Sequence, residues 1–232
     1  VILYRTVEAS IGSADNVLIG LDGRWNLFRR VQLYGQLLLD EFFLKEIVAP
    51  ERSGWWGNKY GIQAGLKYVN AFGIEHLDLQ AELNLARPYT WSHTDSLNSY
   101  THYRQPLAHP LWSNFREIIG IARYSPTARW LLTARLVQAR TGDNRPGENW
   151  GSFPVLSNQS RVQDYGNAIG QGAGARLLLL GLDASWRWRH NLFVDVKCLL
   201  RTKDSDDPGR DATTRMASVG LRMNLWENGV DF

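Results

Sequence analysis

The chain has 232 residues, is 44% hydrophobic, and carries a formal charge of only +3 with acidic and basic residues interspersed, which argues against a nucleic-acid partner. Its single cysteine, Cys198, excludes an internal disulfide and a cysteine-based zinc cluster. Ten Trp, nine Tyr and 21 Gly favour strands and turns over helices.

There is no uninterrupted apolar run long enough for a membrane-spanning helix. The opening Val1-Ile2-Leu3-Tyr4-Arg5, followed by Glu8, lacks the basic leader of a signal peptide and reads as mid-strand. Either the protein is cytosolic or the start of a precursor is missing, and the mid-strand opening favours the second, with a possible strand over Tyr4 to Ser10.

Taken in order, Ile19, Leu21, Trp25 and Leu27 alternate with Asp22, Arg24 and Asn26, predicting a strand. Phe28-Arg29-Arg30 turns it, and Val31, Leu33, Leu37 and Leu39 alternate with Gln32, Tyr34, Gln36 and Asp40 on the way back. A longer connection, about Leu44 to Lys59, holds Trp55, Trp56 and Gly57. The next strand runs from about Tyr60 to Val69, and a short turn leads to Leu77 to Leu85. There Leu77, Leu79, Ala81, Leu83 and Leu85 share one face, while Asp78, Gln80, Glu82 and Asn84 share the other.

A loop rich in Pro, His and aromatic residues then extends to a strand beginning near Phe115 and ending at Tyr124. Ser125 to Ala128 is a tight turn before a strand over about Arg129 to Arg140. A long polar segment from Asp143 to Gly170 follows. A strand from about Gln171 to Arg187 is apolar on both sides at Leu177 to Leu180. After the turn Arg189-His190-Asn191, Leu192, Val194, Val196, Cys198 and Leu200 alternate with Asp195, Lys197 and Arg201. A loop spans Lys203 to Asp211, and the last strand places Val219, Leu221, Met223 and Leu225 opposite Ser218, Gly220, Arg222 and Asn224.

Two regularities select a class. Strands of about 9 to 16 residues exceed the usual mean of about 5 to 6 and suit a tilted bilayer crossing. Connections alternate short and long, as in barrels with periplasmic turns and extracellular loops. Trp25, Phe72, Tyr124, Trp130, Trp186, Trp188 and Trp226 gather near the short-turn edge like an interfacial girdle. The expected fold is an all-β, antiparallel transmembrane outer-membrane β-barrel, one domain over residues 1–232, with about nine or ten strands of a larger barrel. A soluble β-sandwich explains the alternation equally well but not the strand length or loop asymmetry. The terminal Phe232, with Val230 and Trp226, agrees with a barrel ending in an aromatic residue, although Asn228 breaks the phase and a bulge at Gly229 is then needed.

Several stretches carry a family resemblance. They are Leu33-Tyr34-Gly35-Gln36 with Asp40-Glu41-Phe42, Trp55-Trp56-Gly57-Asn58-Lys59-Tyr60-Gly61, and Glu82-Leu83-Asn84 with Arg87-Pro88-Tyr89-Thr90. Further on come Tyr100-Thr101-His102-Tyr103 and Gln105 to Leu111 with Asn114-Phe115. Together they resemble the Wzi-type capsule-assembly outer-membrane proteins of Bacteroidetes and their gliding-motility relatives. Trp112-Ser113 stands where that family has Gly-Ala. The resemblance implies the C-terminal part of a longer chain in the bacterial outer membrane, in contact with outer-membrane lipid, extracellular polysaccharide and other envelope proteins.

His93, His102 and His109 share one loop with Asp95, but their spacings match no compact metal template, and hydrogen bonding within a folded lid is the simpler expectation. Nucleophile-elbow, phosphate-loop and zincin signatures are absent from the sequence, and Asp40-Glu41 point to opposite strand faces, so no enzyme and no cofactor are expected. Sugar rings stack on aromatic faces while amide, acidic and guanidinium groups bond hydroxyls. Trp55, Trp56, Tyr89, Trp91, His102, Tyr103, Arg104, Gln105, His109 and Trp112 are therefore the candidate glycan-binding residues, with loop packing as the competing role. The function that the resemblance implies is binding or anchoring of surface or capsular polysaccharide. The alternative is a transport pore or a structural subunit of a secretion or gliding machine. On the polar face, mixed charges are expected to form ion pairs bracing the wall.

Overall fold

In the computed structural model, residues 16–43, 45–48 and 53–223 are described. The strands are β1 (Ile19–Leu27), β2 (Val31–Glu41), β3 (Lys59–Tyr68), β4 (Leu77–Ala86), β5 (Thr101–His102), β6 (Gln105–Pro106), β7 (Phe115–Tyr124), β8 (Trp130–Asp143), β9 (Ala173–Arg189), β10 (Leu192–Ser205) and β11 (Ala212–Met223). A single helical turn, α1, covers Lys45–Val48. The expected strand at Tyr4 to Ser10 and the terminal residues Leu225, Trp226 and Val230 to Phe232 lie outside the described residues.

All strands but β5 and β6 form one nine-stranded antiparallel sheet in sequence order, each hydrogen-bonded to the next. The short turns leave no room to cross over, and across the long connections 87–114 and 144–172 the chain also returns to the adjacent strand. The β1–β2 turn has left-handed backbone at Phe28 and Arg29, and the β9–β10 turn has it at Asn191, matching the twist of antiparallel hairpins. The strands of this sheet run from nine to 17 residues. Among the described residues β1 and β11 do not pair, so the sheet is open rather than closed into a barrel.

Its register builds two unlike faces. One cross-strand row reads Leu27, Val31, Tyr68, Leu79, Ala122, Ala134, Leu182, Cys198 and Ala217, apolar through all nine strands. On the other face a row reads Asp22, Gln36, Gln63, Asn84, Glu117, Ala139, Leu177, Lys203 and Ala212. That face is polar toward β1, whereas Ile119, Ile121, Val137, Leu179 and Leu199 make it partly apolar across β7 to β10. Among the described residues nothing covers the apolar face: Leu21 is 70% exposed, Val219 75% and Leu221 73%. With no second layer on it among those residues, the sheet is unlike the core of a sandwich, where side chains of two sheets interdigitate.

Trp25, Tyr68, Tyr124, Trp130 and Trp186 occupy that same apolar face near the short turns. Trp130 and Trp186 stack at 5.9 Å, and Tyr68 meets Phe72 edge-on at 5.5 Å. Of the other residues expected in this band, Trp188 is half exposed at the β9–β10 register shift, and Trp226 is not described. Ion pairs on the polar face join Lys203 to Asp143 at 3.1 Å and Arg222 to Asp195. Arg222 Nε donates to Asp195 Oδ2 at 2.9 Å, and Ser185 Oγ donates to Asp195 Oδ1 at 2.6 Å. Among the described residues Asp22, Arg24, Lys67, Lys197 and Arg201 have no ion-pair partner.

Candidate functional site

The long connections 87–114 and 144–172 and the described residues of 42–58 emerge at one sheet edge and knit into a single cap. Buried donors find main-chain acceptors in neighbouring loops, because a folded loop leaves carbonyls that no ladder satisfies. Arg87 Nη1 donates to the carbonyls of Trp55 (3.3 Å) and Asn58 (2.9 Å), and its Nη2 to that of Asn167 (3.2 Å), so one guanidinium joins all three loops. Burial pulls the pKa of this group down. Asn114, fully buried with a left-handed φ of 58°, donates to the carbonyls of Gly142 and Gln171 and accepts from Gly170 N. Ser92, Ser99 and Ser113 reach across to the carbonyls of Leu156, Pro154 and Gly151.

Tyr89 sits at the middle of the cap with no exposed surface. Its hydroxyl donates to Asn149 O at 2.7 Å, its N–H donates to Gly151 O at 2.9 Å, and burial pushes its phenol pKa up to about 12. Gly151 is glycine by necessity. Its φ is +78°, and a Cβ there would lie 2.4 Å from Tyr89 N.

The cap is fastened to the sheet at the end of β2. Trp91 N donates to Asp40 Oδ2 at 2.8 Å, His93 Nε2 lies 3.2 Å from Asp40 Oδ1, and His93 Nδ1 lies 3.5 Å from Glu41 Oε1. Lys59 is completely buried between Glu41, at 3.0 Å, and the carbonyl of Ser92, at 2.6 Å. Burial alone would depress the His93 pKa, but hydrogen bonds to Asp40 and Glu41 outweigh it and the net shift is upward. Around this clamp Trp91, Phe115 and Ala86 form a small core with Leu18, Leu38 and Leu111.

Between cap and polar face lies a cavity of about 290 Å³. Gln36, Gln63 and Asn84 line it from the sheet, and Trp91, Tyr100 and His109 from the cap. The side chains behind it are tied together: Asn84 Nδ2 donates to Glu82 (2.9 Å) and Glu117 (3.3 Å), Gln63 donates to Glu82 (3.2 Å), and Tyr34 donates to Glu82 at 2.5 Å. His109 lies 3.2 Å from Glu117 and stacks on Phe115 with ring centroids 4.4 Å apart. Trp91 Nε1 is buried with no hydrogen-bond partner among the described residues. Such a cavity offers amide donors and acceptors beside ring faces, which suits a neutral polyhydroxylated ligand.

The ten residues expected to bind glycan therefore fall in three places. His109 and Trp91 line the cavity, Trp91 at only 4% exposure. Trp55, Trp56, Tyr89 and Trp112 are packed inside the cap. Trp56 lies 4.3 Å from the Arg161 guanidinium and edge-on to Tyr89, Trp55 meets Phe43 edge-on, and Trp112 packs on Phe153 at 4.6 Å. His102, Tyr103, Arg104 and Gln105 form the exposed tip of the β5–β6 hairpin, with left-handed φ at Tyr103 and Arg104 and with Tyr103 89% exposed. Tyr100 also lines the cavity, and the sheet residues Gln36, Gln63 and Asn84 that face it were not singled out from sequence. The available signal was the inward phase of β2, β3 and β4 next to the loop edge.

The three histidines go to three different settings, a carboxylate clamp, a hairpin tip and the cavity wall, so the shared loop does not gather them. No family model matches the chain, and no curated protein and no solved structure shows significant similarity to it.

Proposed function

We propose that this chain is wall and cap of an outer-membrane β-barrel that binds or anchors surface polysaccharide without catalysing a reaction. The membrane assignment is supported by a bare apolar face across nine strands, an aromatic band along the short-turn edge, and long loops confined to the opposite edge. The resemblance to Wzi-type capsule-assembly proteins of Bacteroidetes points the same way. In this reading the open edges β1 and β11 meet further strands.

The observation that carries the binding role is the cavity beneath the cap, where Gln36, Gln63 and Asn84 stand opposite Trp91 and Tyr100. Amide groups there bond hydroxyls, and the rings cover the apolar face of a sugar. The test is capsule retention by cells carrying the full-length protein with Gln36→Ala or Tyr100→Ala. Retention is expected to fall while protein level and heat stability stay unchanged. Undiminished retention, or retention that merely tracks protein level, overturns the proposal.

One observation favours a transport pore instead. Arg24, Lys67, Lys197 and Arg201 line the polar face without ion-pair partners among the described residues, as a track for an anionic polymer would require. Conductance across planar bilayers that is lost on substituting these cations would select the pore over the anchor.

A further inference from the structure

We infer that Arg116, Arg140 and Arg176, side by side on the apolar face, bind the phosphate groups of a lipid in the leaflet nearest the long loops. This rests on the membrane reading above. The register of β7, β8 and β9 sets Arg116 opposite Arg140 and Arg140 opposite Arg176. Neighbouring strands lie about 4.8 Å apart, so three like charges project from one side within roughly two strand spacings, an arrangement that repels unless an anion joins it. All three side chains are exposed, and among the described residues none has an ion pair or a side-chain hydrogen bond.

The position matters as much as the charge. Along the same row toward β1 every residue is apolar: Leu85, Ile62, Leu37 and Leu21. One step toward the short turns the face carries Leu83, Ile118, Gln138 and Leu178. The arginines thus stand where an apolar wall gives way to the loops, which is where lipid headgroups would lie. Arg140 rests against Gly170, at φ +86°, whose backbone leaves room for it: a Cβ there would come within 2.7 Å of Arg140 Nε.

A cleft of about 330 Å³ opens beside Arg140 and Arg176, with Asp204, Ser205 and Asp206 on its far side. Asp206 is engaged with Gly174 N at 3.0 Å. Asp204 faces Arg176 across the register, which leaves the row with an excess of positive charge. Farther toward the short turns an apolar groove of about 560 Å³ runs over Leu180, Leu182, Cys198 and Leu200, with Arg215 at its border. Cations above an apolar groove fit an amphiphile with phosphate at one end and acyl chains at the other. Guanidinium groups supply the planar fork that phosphate takes.

The test reconstitutes the full chain in phosphatidylcholine bilayers and titrates bisphosphorylated lipid A, its dephosphorylated form, or inorganic phosphate, reading bound lipid by native mass spectrometry. Affinity for the phosphorylated lipid is expected to fall about 100-fold in R116Q/R140Q/R176Q and about fivefold in R140Q alone, with R24Q on the polar face unchanged. Equal binding by wild type and both variants overturns the inference. So does equal binding of the dephosphorylated lipid, or displacement by inorganic phosphate at concentrations matching the lipid. Tryptophan quenching by brominated acyl chains separates the failures. Quenching without arginine dependence removes this inference alone, whereas absence of quenching removes the membrane reading and the inference with it.

Discussion

Trp91 and Tyr103 come from one loop, are both aromatic, and have opposite fates. Trp91 is 4% exposed and packs with Phe115 and Leu38, while Tyr103 is 89% exposed at a hairpin tip. Trp91→Ala is expected to loosen the cap by about 3 to 5 kcal/mol, the range for a large buried ring. Tyr103→Ala should leave cap stability within about 0.5 kcal/mol. Limited proteolysis of the 87–114 loop reads the difference, and equal protection of the two variants would refute the packing role. Sequence identified both residues as aromatic loop positions. It did not separate them, because burial here depends on partners such as Asp40 that lie far along the chain.

His93 adds a pH dependence of definite sign. Its folded pKa is raised above the unfolded value of about 6.5. The His93–Asp40–Glu41 contact therefore contributes fully below about pH 6.5 and fades as pH rises through the higher folded value. Protection factors of the amides of residues 90–94, taken relative to the base-catalysed intrinsic exchange rate, should fall through that alkaline-side window in wild type. In His93→Gln this fall should vanish; its persistence would assign the effect to another group.

At the scale of single elements, the strands were legible wherever period-two alternation was clean, as in β2 and β4. β8 continues to Asp143, beyond the expected Arg140, because Thr141 and Gly142 interrupt the alternation although their ladder to β9 persists. β10 continues through Lys203 to Ser205, into the loop expected over Lys203 to Asp211, because Lys203, Asp204 and Ser205 are all polar although their ladder to β9 persists, while β11 begins at Ala212, where that loop is expected to end. The two-residue strands β5 and β6 depend on left-handed backbone at Tyr103 and Arg104, which those residue types do not advertise. The cap was legible only as length and composition. Its bonds, such as Arg87 to Asn167, join side chains to distant carbonyls and leave no periodic trace.

The two faces of β4 give an element-level prediction. Leu83 is on the apolar face, 38% exposed, and Gln80 on the polar one. Placed in a bilayer, Leu83→Arg should cost about 2 to 4 kcal/mol and Gln80→Arg clearly less. Folding titrations into lipid vesicles measure both. Equal penalties would mean that lipid does not contact the Leu83 face.

For the whole molecule, the decisive asymmetry lies between the two ends of the sheet. The three long connections 42–58, 87–114 and 144–172 share one end of the sheet with the shorter 206–211 connection, and the turns 28–30, 69–76, 125–129 and 190–191 lie at the other end, so a membrane-crossing sheet must expose the two sets on opposite sides. Gly147 is a turn tip with open space around it and lies in the capping loop 144–172, while Gly209 sits in the β10–β11 connection at the same end. Arg29 and Thr127 are exposed in tight turns at the other end. Short epitope insertions at these four positions should fold alike, because exposed loop tips tolerate added residues. Antibody applied to intact cells should label the insertions at 147 and 209 and fail to label those at 29 and 127 until the outer membrane is permeabilised. Labelling of all four from outside would leave a two-faced sheet lying on a surface or in solution. In that case the bare row from Leu27 to Ala217 would have to be covered by protein rather than by lipid.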